Sequence, residues 1–124
     1  MTPRLLDTCL VIDFLRRKPE ATVYFRELEE VPFLSAITVA ELYAGVREGT
    51  ERQKLDRLVN AFHTVAVSEA IGRTGGLYRR QYFGSHGVDL ADALIAACAE
   101  DIGADLVTLN KKHFPMVSRV IVPY

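Results

Sequence analysis

Cysteine is scarce in this chain: Cys9 and Cys98 are the two in 124 residues. Two thiols in apolar surroundings make no disulfide framework. They behave as small buried hydrophobes and suit a reducing cytosol, so a cytoplasmic protein is expected. Long hydrophobic runs are also missing. No stretch reaches the roughly 18 apolar residues of a membrane span, and no membrane association is expected. The run from Leu5 to Leu15 is interrupted by Asp7 and Asp13, which makes a poor signal peptide. Repeats, low-complexity tracts and long linkers are absent, so one domain over residues 1–124 is expected, with a core of useful size. A surplus of positive charge is lacking too: the formal net charge is −1. Nucleic-acid binders usually carry a basic footprint, so tight non-specific duplex binding is disfavoured. A local basic rim is still allowed at Arg16-Arg17-Lys18, Arg79-Arg80 or Lys111-Lys112, each of which by itself reads more readily as a solvated surface group. His63 and His86 have no partners at zinc spacing, and no glycine-rich phosphate loop is present.

What the chain does contain is 49% hydrophobic and 25% charged residues, ordinary for a soluble globular protein. Three short segments each set an acidic residue in an apolar frame: Leu5-Leu6-Asp7-Thr8, Ser35 to Leu42 around Glu41, and Asp89 to Ala97 around Asp92. A buried ionised carboxylate has to be paired, hydrogen-bonded or bound to a metal. Brought together, these acids repel by roughly 3 kcal/mol per pair at about 5 Å and an effective dielectric of about 20. No Lys or Arg lies inside the three segments to offset that. A hard divalent cation would, and Mg²⁺ and Mn²⁺ both prefer oxygen ligands. The pattern points to metal-dependent phosphoryl chemistry.

Apolar spacing and breakers predict strands at Arg4–Asp7, Pro32–Ser35, Thr64–Val67, Asp105–Leu109 and Arg119–Val122. They predict helices at Thr8–Arg17, Ala21–Glu30, Thr38–Glu48, Thr50–Ala61, Ser68–Phe83 and Asp89–Ile102. Gly72, Gly75 and Gly76 weaken the fifth helix. Strands alternating with helices indicate an α/β fold: a mainly parallel sheet of about five strands flanked by helices on both faces. Sites in such sheets form outside the carboxyl ends of the strands. Asp7 ends the first strand, just after Leu5-Leu6, Asn110 follows the fourth, and Glu41 and Asp92 fall in the first turns of their predicted helices. All four can face one edge.

Each acid also has an ordinary structural reading. Asp7 can cap the first helix. Thr38 and Glu41 have the spacing of a capping box. Asp89 and Asp92 fit a cap and an acid three residues on, both favoured by the helix dipole. Thr8 is either a helix-start residue or a hydroxyl for a carboxylate or a metal-held water. His113 reads as a surface or packing residue.

The segments Leu-Asp-Thr at 6–8, Ser-Ala-Ile-Thr-Val-Ala-Glu-Leu at 35–42, Asp-Ala-Leu-Ile-Ala-Ala at 92–97 and Leu-Val-Thr-Leu-Asn-Lys-Lys-His-Phe at 106–114 together carry a resemblance. The chain resembles PIN-domain ribonucleases, most closely VapC-type toxins of toxin–antitoxin pairs, from Leu5 to about Val122. The resemblance implies a PIN-like α/β/α domain with Asp7, Glu41 and Asp92 as catalytic, metal-binding acids. Asn110, Asp89 and Thr8 are secondary candidates for the metal. Many of these nucleases carry a fourth acid where Asn110 stands; the amide here adds no charge for a second metal position. The cofactor implied is Mg²⁺, with Mn²⁺ as alternative. The substrate implied is single-stranded or looped RNA, which bends into a cleft more readily than a duplex. The partners implied are a VapB-type antitoxin and a second copy of the chain. Tyr43, Phe62 and Tyr78 are candidate dimer anchors that read equally as core. Two rivals stand beside this reading: a PIN-like protein that binds RNA or a partner without cutting, and a receiver-type regulator. The second lacks its expected acid pair near Asp7 and its Lys after the last strand.

Overall fold

A computed structural model of the protein describes residues 2–124. Its elements are β1 (Arg4–Leu6), α1 (Thr8–Leu15), α2 (Pro19–Glu27), β2 (Phe33–Ser35), α3 (Ala36–Ala44), α4 (Thr50–Ala61), β3 (His63–Val65), α5 (Glu69–His86), α6 (Leu90–Asp101), β4 (Asp105–Val107) and β5 (Val120–Ile121), with a 3-10 turn at Lys111–His113. The five strands form one sheet in the order β3-β2-β1-β4-β5, and every pairing is parallel. This is the expected α/β/α architecture. No helix among the described residues is long and apolar enough to cross a membrane.

Strand residues alternate between the two faces of a sheet, and each central strand here is apolar on both. Leu5 and Leu106 join Ile95 to Ala99 of α6 and Ile71 of α5 in one buried cluster. Leu6, Val107 and Leu34 join Leu10 and Val11 of α1, Leu42 of α3, and Leu55 and Leu58 of α4 in the other. The sheet is thus buried on both sides, as parallel sheets are. The glycines of α5 do not break it. Gly75 is buried where α5 meets α6; a Cβ there would lie 2.5 Å from Leu94 Cδ2 and 3.2 Å from Leu94 Cα. Glycine here permits close helix–helix approach.

Several boundaries differ from the sequence expectation for local reasons. Helix α2 begins at Pro19, which serves at its first turn, and ends at Glu27 because Leu28 is extended (φ −65°, ψ 124°). Helix α3 starts two residues early because Ser35, the last residue of β2, caps it directly. It ends at Ala44, short of the predicted Glu48. Helix α5 runs on to His86 and stops at Gly87, whose φ of 64° suits glycine. Strand β3 starts one residue early and pairs His63 with Phe33.

Candidate functional site

From β1 the chain moves through β2 to β3 on one side of the sheet, then returns to place β4 and β5 on the other. The direction of the strand order therefore reverses between β1 and β4. In open parallel sheets the crevice outside the carboxyl ends at such a point is where ligands bind. Asp7 leaves β1 at this crevice, and Thr108 leaves β4 beside it.

Asp7 extends the sheet by one more bond, donating its amide to the Val107 carbonyl at 2.9 Å. The chain then turns into α1, and Asp7 is the cap: its Oδ1 accepts from the Thr8 amide at 2.8 Å. Capping engages one oxygen. The other, Oδ2, accepts from the Thr108 hydroxyl at 2.7 Å and from the Cys9 thiol at 3.5 Å. The carboxylate is 5% exposed, and these donors meet the requirement that buried charge be hydrogen-bonded. Burial, then the charge of Asp7, pushes the Cys9 thiol up to about 11. Cys9 is therefore a neutral donor and no nucleophile.

Glu41 does not belong to a capping box. Ser35 caps α3 by accepting from the Ile37 amide at 3.0 Å. That cap puts Glu41 beyond the first turn, because β2 runs into α3 without a loop. The Glu41 carboxylate is exposed and accepts from the Thr8 hydroxyl at 2.7 Å. The Thr8 and Thr38 oxygens are 3.0 Å apart. Thr8 has one proton to give, so it donates to Glu41 and receives from the buried Thr38.

Asp92 stands at the third residue of α6, which Asp89 caps by accepting the Asp92 amide at 2.8 Å. Its carboxyl is pushed up to about 7, first by burial and then by the charges of Asp89, Asp7 and Glu41. That sequence of causes places acids from β1, α3 and α6 within electrostatic reach of one another. The structure thus brings Asp7, Glu41, Asp92, Asp89 and Thr8 to one edge. Asn110 lies beyond β4, exposed, with its amide donating to the Thr108 hydroxyl at 3.0 Å. Its side chain makes no capping bond to the following turn. Asp105 begins β4 at the opposite end and pairs with Arg119 at 3.2 Å.

Two contributors escape a sequence reading. Thr108 is fully buried; its one signal is a lone hydroxyl in the run Leu-Val-Thr-Leu. His113 gives no signal as a single histidine, yet its Nδ1 lies 3.6 Å from Asp92 Oδ2. Of the basic groups, Lys111 and Lys112 are exposed on the same turn as His113. Lys18 sits beyond the far end of α1, about 12 Å from its start. It pairs there with Asp13 at 3.7 Å and so does not rim the site. Arg79 lies over the Phe83 ring at 3.7 Å. Of the suggested dimer anchors, Tyr43 donates to Asp56 at 2.5 Å and Tyr78 donates to Glu100. Phe62 packs 6.0 Å from Phe25. All three are partly buried within the fold.

The donor set is chemically suited to a hard cation: carboxylate oxygens in excess of local positive charge. As they stand, no three His, Cys, Asp or Glu side chains among the described residues are gathered closely enough to hold a metal ion. Hydrogen bonds to Thr108, the Thr8 amide and the Thr8 hydroxyl hold Asp7 and Glu41 in their present positions.

These features define a class: a three-layer α/β protein whose carboxylates gather at the switch point of a parallel sheet. The chain belongs to the PIN-domain family, whose profile matches residues 4–119, and within it is of the VapC type. It is 42% identical over 126 residues to Ribonuclease VapC19 of Mycobacterium tuberculosis, covering 98% of this chain and 99% of that one. A toxin–antitoxin complex from Klebsiella pneumoniae contains a chain that superimposes with a TM-score of 0.84 at 26% identity, covering 98% of each. FitAcB from Neisseria gonorrhoeae superimposes with a TM-score of 0.75 at 28% identity, covering 97% of each.

Proposed function

We propose that this protein is a Mg²⁺-dependent endoribonuclease toxin that cleaves single-stranded or looped RNA and is held inactive by a VapB-type antitoxin. The observation that carries the chemistry is the gathering of carboxylates at one sheet edge: Thr8 touches both Asp7 and Glu41, and the Asp92 carboxyl is raised first by burial and then by the charges of Asp89, Asp7 and Glu41. Support for the substrate and the partner comes from VapC19, named a ribonuclease, and from the toxin–antitoxin complex that shares the fold. The reading includes a homodimer working in the cytoplasm.

Asp7, Glu41 and Asp92 would hold the cation, and Mn²⁺ would serve in place of Mg²⁺. A cation held there would supply a more acidic bound water and an offset for charge developing on the phosphate. The remaining work falls to the chain itself. Thr108 and the Thr8 amide fix both oxygens of Asp7. Thr8, backed by Thr38, aims Glu41. Asp89 accepts the Asp92 amide and so fixes the first turn of α6 that carries Asp92. Lys111 and Lys112, exposed on the turn beyond β4, draw in the RNA backbone. Asp89 and Asn110 are secondary candidates; Asn110 offers a carbonyl oxygen but no charge.

A binding-only protein is the second reading. One observation favours it: the three acids are not gathered at metal-holding distance as they stand. Incubating a mixed pool of structured and unstructured RNA with Mg²⁺ or Mn²⁺ separates the two. Cleavage that vanishes both with EDTA and in Asp92→Asn supports the nuclease. RNA binding without cleavage in the native chain supports the other reading.

A further inference from the structure

We propose that His113 is a nitrogen donor of the metal site, one that biases it toward Mn²⁺ over Mg²⁺. The inference rests on the reading of Asp7, Glu41 and Asp92 as metal-binding acids. Its geometric basis is the 3.6 Å separation between His113 Nδ1 and Asp92 Oδ2. That distance is too long for a hydrogen bond; it is an ion-pair distance when the ring is protonated, so Nδ1 of the neutral ring is unengaged by Asp92. Two donors each about 2.1 Å from one ion and at right angles lie about 3 Å apart. The observed separation exceeds that by about 0.6 Å.

The turn that carries His113 is built to hold it there. The His113 amide donates to the Asn110 carbonyl at 2.9 Å, and the Phe114 amide donates to Lys111 at 3.0 Å. Phe114 itself is 1% exposed, packed in the cluster that includes α6. Burying that ring pins the turn against the helix bearing Asp92. Among the described residues, the His113 ring makes no hydrogen bond. The other histidines are placed differently. His63 lies against Phe33 with the rings tilted, centroids 4.8 Å apart, and His86 contacts the Ser85 hydroxyl at 2.7 Å.

Oxygen ligands accept Mg²⁺ and Mn²⁺ alike. An imidazole adds a softer donor, which Mn²⁺ tolerates and Mg²⁺ does not favour. A purely structural role for His113, as a partner that orients Asp92, would affect both ions equally. The two roles therefore separate on selectivity.

The test uses the full chain stripped of metal by a chelator. Mn²⁺ binding is followed by loss of the free-ion electron spin resonance signal, and Mg²⁺ binding by calorimetry. His113→Ala is expected to weaken Mn²⁺ binding about tenfold and Mg²⁺ binding by less than about threefold. Pulsed electron spin resonance of the Mn²⁺-loaded native protein should reveal coupling to a directly bound nitrogen, lost in His113→Ala and kept in His63→Ala. Equal weakening for both ions overturns the proposal. So does the absence of nitrogen coupling in the native protein, a measurement that requires no variant to fold. Asp92→Asn tells the two levels apart: if it binds both ions like the native chain, the site assignment itself fails, whatever His113 does.

Discussion

Thr108 donates its hydroxyl to Asp7 Oδ2 at 2.7 Å, joining residues 101 positions apart in the chain. The bond ties the end of β4 to the start of α1 at the point where the strand order reverses. Removing the hydroxyl while keeping the side-chain shape leaves a buried carboxylate short of a donor. Thr108→Val should therefore destabilise the protein by about 1–3 kcal/mol in urea unfolding. Thr108→Ser should recover most of that. If Val and Ser variants unfold at the same urea concentration, the bond does not contribute to stability.

Asp92 should be a stability defect in the metal-free protein. Its carboxyl is raised from 3.8 to about 7 in the fold. Between those values the folded state binds more protons than the unfolded one. Stability from this group is therefore full below about pH 4 and falls as pH rises towards 7. In EDTA at pH 8, Asp92→Asn should raise the melting temperature by about 4 °C, equivalent to about 1 kcal/mol. At pH 4 the gain should vanish. Thermal melts of both proteins across this range check the sign, and a gain that grows on acidification contradicts it.

Metal should reverse that order. A ligand bound only by the folded state stabilises by about 2.7 kcal/mol at a hundred times its dissociation constant. Saturating Mg²⁺ should raise the melting temperature of the native chain and leave Asp92→Asn nearly unmoved. Asp7→Asn and Glu41→Gln should also lose the shift, and RNA cleavage should fall by roughly 100-fold or more in all three. A native melting temperature indifferent to Mg²⁺ and Mn²⁺ would count against the metal assignment.

Gly75→Ala should weaken the fold without touching the chemistry. The added Cβ would meet Leu94 Cδ2 at 2.5 Å, which a side-chain rotation relieves, and Leu94 Cα at 3.2 Å, which it does not. Overpacking of this kind costs about 1–3 kcal/mol. Gly72→Ala, where a Cβ meets nothing within 4 Å, should be neutral or stabilising. Equilibrium unfolding of the pair, alongside cleavage per folded molecule, distinguishes helix packing from a role in the site.

Much of the fold was legible because its signals are local. Helix α4 was expected at its observed bounds, and α6 lies within the expected Asp89–Ile102 with Asp89 as its cap. The places where expectation failed are those where a neighbouring element intervened. Thr38 and Glu41 have capping-box spacing, but β2 delivers Ser35 to the cap first. Gly75 lowers intrinsic helix propensity, but packing against Leu94 more than offsets it.

For the site, the sequence alone determined that three carboxylates are embedded in apolar frames, that they lie next to strand ends or in the helices that follow, and that hard-cation chemistry suits them. Those are properties of residue type and short-range pattern. The strand order, the switch point between β1 and β4, the Thr108–Asp7 and Thr8–Glu41 bonds and the approach of His113 to Asp92 were decided by tertiary structure. No spacing rule reaches across 101 residues. A single hydroxyl or imidazole acquires its role from what the sheet order sets beside it.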